Sequence, residues 1–177
     1  MDKVSLEEAK EQVKKVCERL ALLHLSFAET LVEEFGQGKG KKLVLKAIRN
    51  YGIRIGEEVK SKVENNDPEN YEGDLPLYGM HEKHEEVEVN GETRIRAHGC
   101  VMGKLWNKLN ENKLGGLYCF VDPAKYMAFN PDYKLIHTKS IPNGDEYCEF
   151  IIKPCSEQEK KDFRENNDWS YVDDKIN

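Results

Sequence analysis

The residues whose types and spacing could do chemistry concentrate in one stretch, LYCFVDPAKYMAFNP, at residues 117–131. Asp122 follows Cys119 by three residues and directly precedes Pro123. Asp and Pro are typical first residues of a helix, so this order predicts a helix that starts near Asp122. Cys119 would lie just before that helix, where the helix dipole lowers a thiol pKa and favours the thiolate. A capping aspartate beside a buried, inert cysteine fits the same pattern.

Five further polar residues or thiols are candidates, each with a structural alternative. Asn130 precedes a proline, which fits a helix exit as well as a ligand contact. Asp145 follows Asn-Gly in a turn, where carboxylates commonly bind backbone amides. His98 falls where a predicted strand passes into a helix, a common place for functional groups, although a lone histidine there is more often a structural residue with its hydrogen bonds satisfied. His137 and Cys148 lie within predicted strands, where a core position is the simpler interpretation.

Metal and cofactor motifs are weak or absent in the sequence. His81 and His84, with Glu85 and Glu86, could bind a metal weakly, but no third ligand follows at a convincing spacing. The five cysteines form no CxxC pair, so we predict no metal site. GxSxG, GxGxxG and GxxxxGK[ST] are all missing, which argues against nucleophile-elbow hydrolases, Rossmann enzymes and P-loop enzymes. We predict no cofactor.

Composition and charge narrow the class of protein. The 177 residues are 38% hydrophobic and 34% charged, which is typical of a globular protein with a well-charged surface. A net charge of −6 disfavours a nucleic-acid partner. No apolar run reaches the roughly 18 residues of a membrane span, and MDKVSLEEAK does not resemble a secretory signal. We therefore expect a cytoplasmic protein with reduced thiols and no membrane partner.

The first 65 residues predict two long helices joined at the glycine-rich segment GQGKG. The apolar stripe of the first helix comprises Val13, Val16, Leu20, Leu23, Phe27 and Leu31. The stripe of the second comprises Leu43, Ala47, Ile48, Tyr51, Ile55, Val59 and Val63. Gly52 and Gly56 are unfavourable inside a helix, so another element is expected to approach closely there. An antiparallel helix pair, or a homodimer formed through these helices, would follow.

Two β-hairpins are predicted after a long loop at residues 65–80. The first turns at Asn90-Gly91, a strong two-residue turn signal that sets Val87 opposite Arg94. Residues 100–116 then predict one helix, with Val101, Leu105, Trp106 and Leu109 facing inward and Gly115-Gly116 as its stop.

The second hairpin joins strands at residues 133–141 and 146–153. A two-residue turn at Asn143-Gly144 would pair His137 with Phe150, Leu135 with Ile152 and Lys139 with Cys148. One face would then carry His137, Lys139 and Cys148.

These elements together predict an α+β fold in which two long N-terminal helices pack on an antiparallel sheet of hairpins, with further short helices. The domain would span residues 1–154, with a helical part at 1–65 and a mixed part at 80–154. Residues 155–177 would form a charged tail, loosely attached through Phe163, Trp169 and Tyr171. The pocket is expected where Cys119, Asp122 and Asn130 meet the sheet.

Several short motifs occur in an order that is similar to a known family. They are GGLYCFVD, AFNP and KLIHTKSIPNGDEYCEFII, preceded by EEFGQGKGKKLVLKAIRNYG. Over roughly residues 31–153 the chain resembles the L-2-amino-thiazoline-4-carboxylic acid hydrolase family. The resemblance implies hydrolysis of a small cyclic amidine: water adds at the carbon between nitrogen and sulfur, and N-carbamoyl-cysteine results. The chemistry needs a base or nucleophile, an acid for the leaving thiolate, and a cation or donor for the carboxylate.

The resemblance implies catalytic roles for four residues. Cys119 would be the nucleophile or a thiol acid, and Asp122 would orient it or activate water. Asp145 would bind the protonated ring nitrogen. His137 would shuttle protons near pH 7.

It implies substrate-binding roles for three more. Asn130 would hydrogen-bond the amidine. His98 would contact the substrate or share the proton transfer, and Cys148 would contact the substrate beside it. The expected partner is a small heterocyclic substrate.

Two alternatives remain open. GDEYCEF also resembles the small-molecule-binding domain of 4-vinyl reductase proteins, although HTKS stands where that domain usually has a cysteine. That resemblance implies a non-catalytic binding module. A scaffold protein that dimerises through its long helices is the third interpretation.

Overall fold

Helix α1, Leu6–Lys60, forms the N-terminal part of the fold. A computed structural model describes residues 4–72, 75–76 and 78–176 of the chain. Ser5 caps α1 by accepting a hydrogen bond from the Glu8 backbone N–H, as its SLEE sequence favours. At Gly36 the backbone leaves helical geometry, with φ 76° and ψ 163°, which only glycine adopts without strain. This kink divides α1 into an N-terminal arm, residues 6–35, and a C-terminal arm, residues 37–60, so the two predicted helices are confirmed.

The buried face of the N-terminal arm differs from the predicted stripe. It consists of Cys17, Ala21, His24, Leu25 and Ala28. Val16, Leu23 and Phe27 instead stay exposed, at 64%, 55% and 64%. Small side chains let the arm lie close to its neighbours, and this places the larger apolar residues outside. Dimerisation through this arm therefore stays a prediction.

The C-terminal arm packs against helix α4, Val121–Phe129, through its two glycines. A Cβ atom at Gly52 would lie 2.5 Å from Ala124 Cβ, and one at Gly56 would lie 2.2 Å from the Lys125 carbonyl oxygen. Any larger residue would push the two helices apart. The close approach predicted from these glycines is confirmed, and it fixes the position of α4.

Four antiparallel strands form one sheet in the order β1-β2-β4-β3. They are β1, Lys83–Val89; β2, Glu92–His98; β3, Tyr133–Lys139; and β4, Tyr147–Pro154. In the first hairpin Val87 pairs with Arg94, as predicted. The α+β fold with an antiparallel sheet is thus confirmed.

The second hairpin contains a bulge that the sequence did not indicate. His137 pairs with Phe150 as predicted, but Lys139 pairs with Glu149 and not with Cys148. A short 3₁₀ turn, Ile141–Asn143, replaces the expected two-residue turn. The extra residue moves Lys139 off the face of His137 and onto the opposite one, where its ammonium contacts the Tyr147 hydroxyl at 2.7 Å. The predicted face of His137, Lys139 and Cys148 was therefore wrong for Lys139.

The single helix predicted for residues 100–116 is broken. Helix α2, Val101–Leu109, ends at Asn110, which adopts a left-handed conformation with φ 60°. A short helix α3, Asn112–Gly115, and a 3₁₀ segment, Gly116–Phe120, follow and lead directly into α4. Gly115 and Gly116 are therefore helical residues and not a stop. The exposed Leu109 was wrongly predicted to face inward.

The C-terminal segment is part of the core. Helix α5, Glu157–Glu165, starts with a complete capping box between Ser156 and Glu159. Phe163, Trp169, Val172 and Ile176 are buried in the same cluster as core residues of α1 and α4. Apolar burial of this kind stabilises each such side chain by about 1.5–3 kcal/mol. The prediction of a loosely attached tail was wrong, because these four residues are buried, although Tyr171 is 40% exposed.

Among the residues that the structure describes, none of the helices combines the length and the apolar character that a membrane span requires.

Candidate active site

A cavity of about 270 Å³ lies between the inner face of the sheet and the helices. Its wall is mostly apolar and aromatic, with Tyr71, Trp106, Tyr118, Tyr126 and Phe150 among the lining residues. A small, largely apolar cavity with a few polar groups is the usual form of a small-molecule site. The polar groups and thiols of its wall therefore determine what it can do.

Asp122 and His137 meet at this cavity from two different elements. Asp122 lies in the first turn of α4, and His137 points inward from β3. The distance from His137 Nε2 to Asp122 Oδ2 is 3.6 Å, within reach of a shared water molecule or a small shift. Lys125, three residues further along the same helix face, places its ammonium 2.9 Å from Asp122 Oδ1. A carboxylate, an imidazole and an ammonium are thus brought together.

Asp173 supports His137 from behind. One of its carboxylate oxygens, Oδ2, lies 2.8 Å from His137 Nδ1 and also accepts the His137 backbone N–H at 2.8 Å. Asp173 is 1% exposed and His137 is also buried. The ring is therefore held with Nδ1 toward Asp173 and Nε2 toward Asp122.

Three thiols complete the cavity wall, at Cys100, Cys119 and Cys148. Burial raises the pKa of the Cys119 thiol well above its ordinary value, and the neighbouring Cys148 and Asp122 raise it further. Burial likewise raises the pKa of Cys148 to about 12. The thiolate expected from a helix start was therefore wrong: α4 begins at Val121, a 3₁₀ segment precedes it, and desolvation outweighs any dipole effect.

His81 and His84 form a further part of the wall. Their rings meet edge to face with centroids 4.5 Å apart. Burial, and secondly the neighbouring His84, lower the pKa of His81 to about 4, so this ring is neutral at pH 7. Within residues 4–72, 75–76 and 78–176, no three His, Cys, Asp or Glu side chains are grouped to hold a metal ion.

Three predicted site residues lie away from the cavity wall and have other contacts. The Asn130 side chain bonds the Asn66 carbonyl at 2.8 Å and the Asp132 N–H at 2.9 Å. His98 Nε2 contacts Glu85 Oε1 at 2.8 Å. These contacts are the structural alternatives that the sequence left open for both residues.

Asp145 ties together the turn after β3. It accepts the Ser140 N–H at 2.7 Å and pairs with Lys175 at 2.7 Å. Burial alone would raise the pKa of Asp145, but the hydrogen bonds from Lys175 and Ser140 outweigh it and lower that pKa. This is the backbone-binding role that turn carboxylates commonly have.

Of the seven predicted site residues, the cavity brings together Cys119, Asp122, His137 and Cys148. The sequence interpretation missed two charged residues beside them. Lys125 could have been found, because it follows Asp122 by three residues on one helix face. Asp173 had no such signal, since only the folding of the C-terminal segment carries it to β3.

The comparison with known families identifies a family that covers most of the chain. The model of the L-2-amino-thiazoline-4-carboxylic acid hydrolase family matches residues 7–152. No curated protein and no solved structure matches the chain. The matched range includes every residue of the cavity wall and ends before Asp173.

Proposed function

The chain belongs to the L-2-amino-thiazoline-4-carboxylic acid hydrolase family, and from that premise we propose that it hydrolyses a small cyclic amidine of the 2-amino-thiazoline-4-carboxylate type. The observation that carries the proposal is the approach of Asp122 to within 3.6 Å of His137 Nε2 at the wall of a small apolar cavity. Histidine is the side chain best suited to accept and return a proton near pH 7.

The reaction needs two proton transfers. Water adds to the ring carbon between nitrogen and sulfur, and the carbon–sulfur bond then breaks with its electron pair going to sulfur. Of the two protons of water, one ends on the ring nitrogen and one on sulfur, which gives an N-carbamoyl-cysteine-type product. We assign removal of the first proton to His137, assisted by Asp122, and its return to the leaving sulfur to the same imidazole.

The substrate carboxylate needs a cationic partner. Among the described residues of the cavity wall, Lys125 supplies the ammonium group, and it lies beside the assigned base through its contact with Asp122. Aromatic side chains of the cavity wall, such as Tyr118 and Phe150, suit a flat five-membered ring. We propose that Lys125 binds the carboxylate and so orients the ring carbon toward His137.

The cavity thiols fit a binding role better than a nucleophilic one. Attack by Cys119 requires its thiolate, and burial raises the pKa of that thiol. We therefore favour an activated water molecule over a covalent intermediate on Cys119. Cys119 and Cys148 would contact the ring sulfur as neutral thiols.

The proposed reaction also favours one kind of cellular compartment. A product with a free thiol, and a chain whose five cysteines are all unpaired, suit a reducing compartment such as the cytoplasm.

The first test is a hydrolysis assay on L-2-amino-thiazoline-4-carboxylate, following N-carbamoyl-cysteine by mass and new thiol by a colour reagent. Asp122→Asn should lower kcat/KM by at least ~100-fold. Asp174→Asn, an exposed aspartate outside the cavity, is the matched control and should keep wild-type activity.

A binding module would behave differently in the same preparation. It would show saturable thermal stabilisation by the ring carboxylate with no product formed. That result, obtained beside an active family enzyme as positive control, would contradict the hydrolase proposal. Turnover that is equal in wild type and Asp122→Asn would contradict the assisting role assigned to Asp122.

A further inference from the structure

The C-terminal segment carries a carboxylate whose position serves the cavity. We propose that Asp173 is a positioning residue, which fixes the protonated nitrogen of His137 at Nδ1 and leaves Nε2 as the nitrogen that exchanges protons with a bound substrate. The kinetic part of this inference rests on the proposed function, whereas the statement about the ring does not. Asp173 lies outside the part of the chain that the family model matches.

Burial makes the partners of Asp173 obligatory. Its side chain is 0% exposed, and an unpaired buried carboxylate would cost several kcal/mol. Val172 and Ile176 are both buried in the core cluster and hold the backbone on either side of Asp173. The carboxylate is therefore delivered to β3 by packing that does not depend on His137.

The contacts are divided between the two carboxylate oxygens. Oδ1 accepts the Lys175 backbone N–H at 3.2 Å. Oδ2 lies 2.8 Å from both the backbone N–H and ring Nδ1 of His137. Since a carboxylate only accepts hydrogen bonds, Nδ1 must carry a proton to make the second contact. The lone pair of the neutral imidazole then lies at Nε2, on the side of Asp122 and the cavity.

Edge position explains why the backbone contact exists at all. β3 is an edge strand of the sheet, so alternate N–H groups on its open side have no strand to bind. Asp173 satisfies the one at His137. A carboxylate present only for this purpose would not need to contact the ring, and the ring contact is therefore what distinguishes a positioning role from a merely structural one.

The test uses the full chain and reads the ring directly. Nitrogen-15 and proton NMR of the five histidines identifies the His137 signals by their loss in His137→Gln. In the wild type, Nδ1 should carry the proton and show a downfield ring N–H resonance, since it is bonded to a buried carboxylate. Asp173→Asn should move that resonance upfield, and Asp174→Asn, the exposed neighbour, should leave it unchanged. An unprotonated Nδ1 in the wild type, or ring signals that do not change in Asp173→Asn, would overturn the inference.

Kinetics supply the second measurement. Asp173→Asn keeps one oxygen for the two N–H groups of His137 and loses the charge and the acceptor of the Lys175 N–H, the longest of the three contacts at 3.2 Å, so the fold should survive. We expect kcat to fall roughly 10- to 100-fold, with KM changed far less, because Asp173 does not touch the substrate. A loss confined to KM, or no loss, would overturn the positioning role. If the wild type lacks turnover, the proposed function fails, whereas the NMR result still decides the contact.

Discussion

Each face of the sheet has a carboxylate beside basic groups, but Glu149 on one face is buried, whereas the Asp122 side chain at the other is 19% exposed. On the face away from the helices, Glu149 is 2% exposed and bonds Arg94 and Arg96, each at 2.8 Å, and the Thr138 hydroxyl at 2.6 Å. On the inner face, Asp122 contacts Lys125 at 2.9 Å and His137 at 3.6 Å, and it borders a cavity.

The two carboxylates differ in how fully they are paired with neighbouring side chains. Both oxygens of Glu149 are bonded to side chains that belong to the same sheet, and these three hydrogen bonds fill most of its roughly four acceptor sites. Asp122 and His137 have a gap between them and an open volume beside them. A fully paired buried charge stabilises a fold, whereas a partly paired one beside a cavity can exchange protons.

The largest expected effect is on the inner face. His137→Gln should lower kcat/KM by at least ~100-fold, because it removes the proposed proton-transfer group. The measurement is steady-state turnover, with far-UV circular dichroism as a check that the variant is folded. Activity within threefold of the wild type would contradict the proton-transfer role proposed for the inner face.

Glu149→Gln should do the reverse. It should lower the free energy of unfolding by roughly 1.5 kcal/mol, the low end for a hydrogen-bonded charge because Arg94 and Arg96 remain partly exposed. Urea unfolding measures this change. Catalytic activity should stay near the wild-type level, since Glu149 faces away from the cavity. A large loss of activity at unchanged stability would contradict the division between the faces.

Lowering the pH should remove the stabilising contribution of Glu149. Burial alone would raise the pKa of Glu149, but hydrogen bonds from Thr138, Arg96 and Arg94 outweigh it and lower the pKa to about 2. A lowered folded-state pKa gives stability that is complete above the unfolded value near 4.5 and is lost as pH falls toward 2. The stability difference between wild type and Glu149→Gln should therefore shrink from pH 5 to pH 2. A constant difference would exclude Glu149 as its source.

Gly56→Ala tests whether the close contact between the C-terminal arm of α1 and α4 holds the inner-face residues in place. Its Cβ would lie 2.2 Å from the Lys125 carbonyl oxygen, so α4 must shift, at a cost of roughly 1–3 kcal/mol. Activity should fall as well, because α4 carries Asp122 and Lys125. Gly38→Ala is the matched control: it has no atom within 4 Å of the new Cβ, and it should be neutral or stabilising by up to about 1 kcal/mol. Thermal melts measure the stability of both variants. An equal loss of stability in the two would contradict the close-packing explanation.

The smallest effect is expected at the thiol. Cys119→Ser should lower turnover by less than the ~100-fold typical of a lost catalytic group, because burial disfavours the thiolate of Cys119. Intact-protein mass spectrometry during turnover should show no adduct. A larger loss, or a covalent adduct on Cys119, would instead support Cys119 as the nucleophile.

Local sequence features determined much of the fold. Asn90-Gly91 placed the first hairpin and its register, and Gly36 placed the kink in α1, because both depend on backbone conformations that few residues adopt. Gly52 and Gly56 correctly predicted a close contact with another element. For the candidate site, Cys119 and Asp122 were found because they stand in one short segment of α4 and its approach.

Other features depended on distant parts of the chain. The bulge between His137 and Lys139 decided which face Lys139 joins, and no turn residue signalled it. The exposure of Val16, Leu23 and Phe27 followed from which side of α1 met its neighbours, although all of them fit one apolar period.

By itself, then, the sequence determined the two arms of α1, the two hairpins and one cluster of reactive side chains, because helix starts, turns and kinks are set by interactions over a few residues. Only the tertiary structure decided which polar groups share the cavity. Asp173 and His137 are 36 residues apart and meet at 2.8 Å, while Asp145, Asn130 and His98 stay elsewhere. Burial strength, hydrogen-bond partners and pKa shifts arise from this three-dimensional packing, which sequence spacing does not encode.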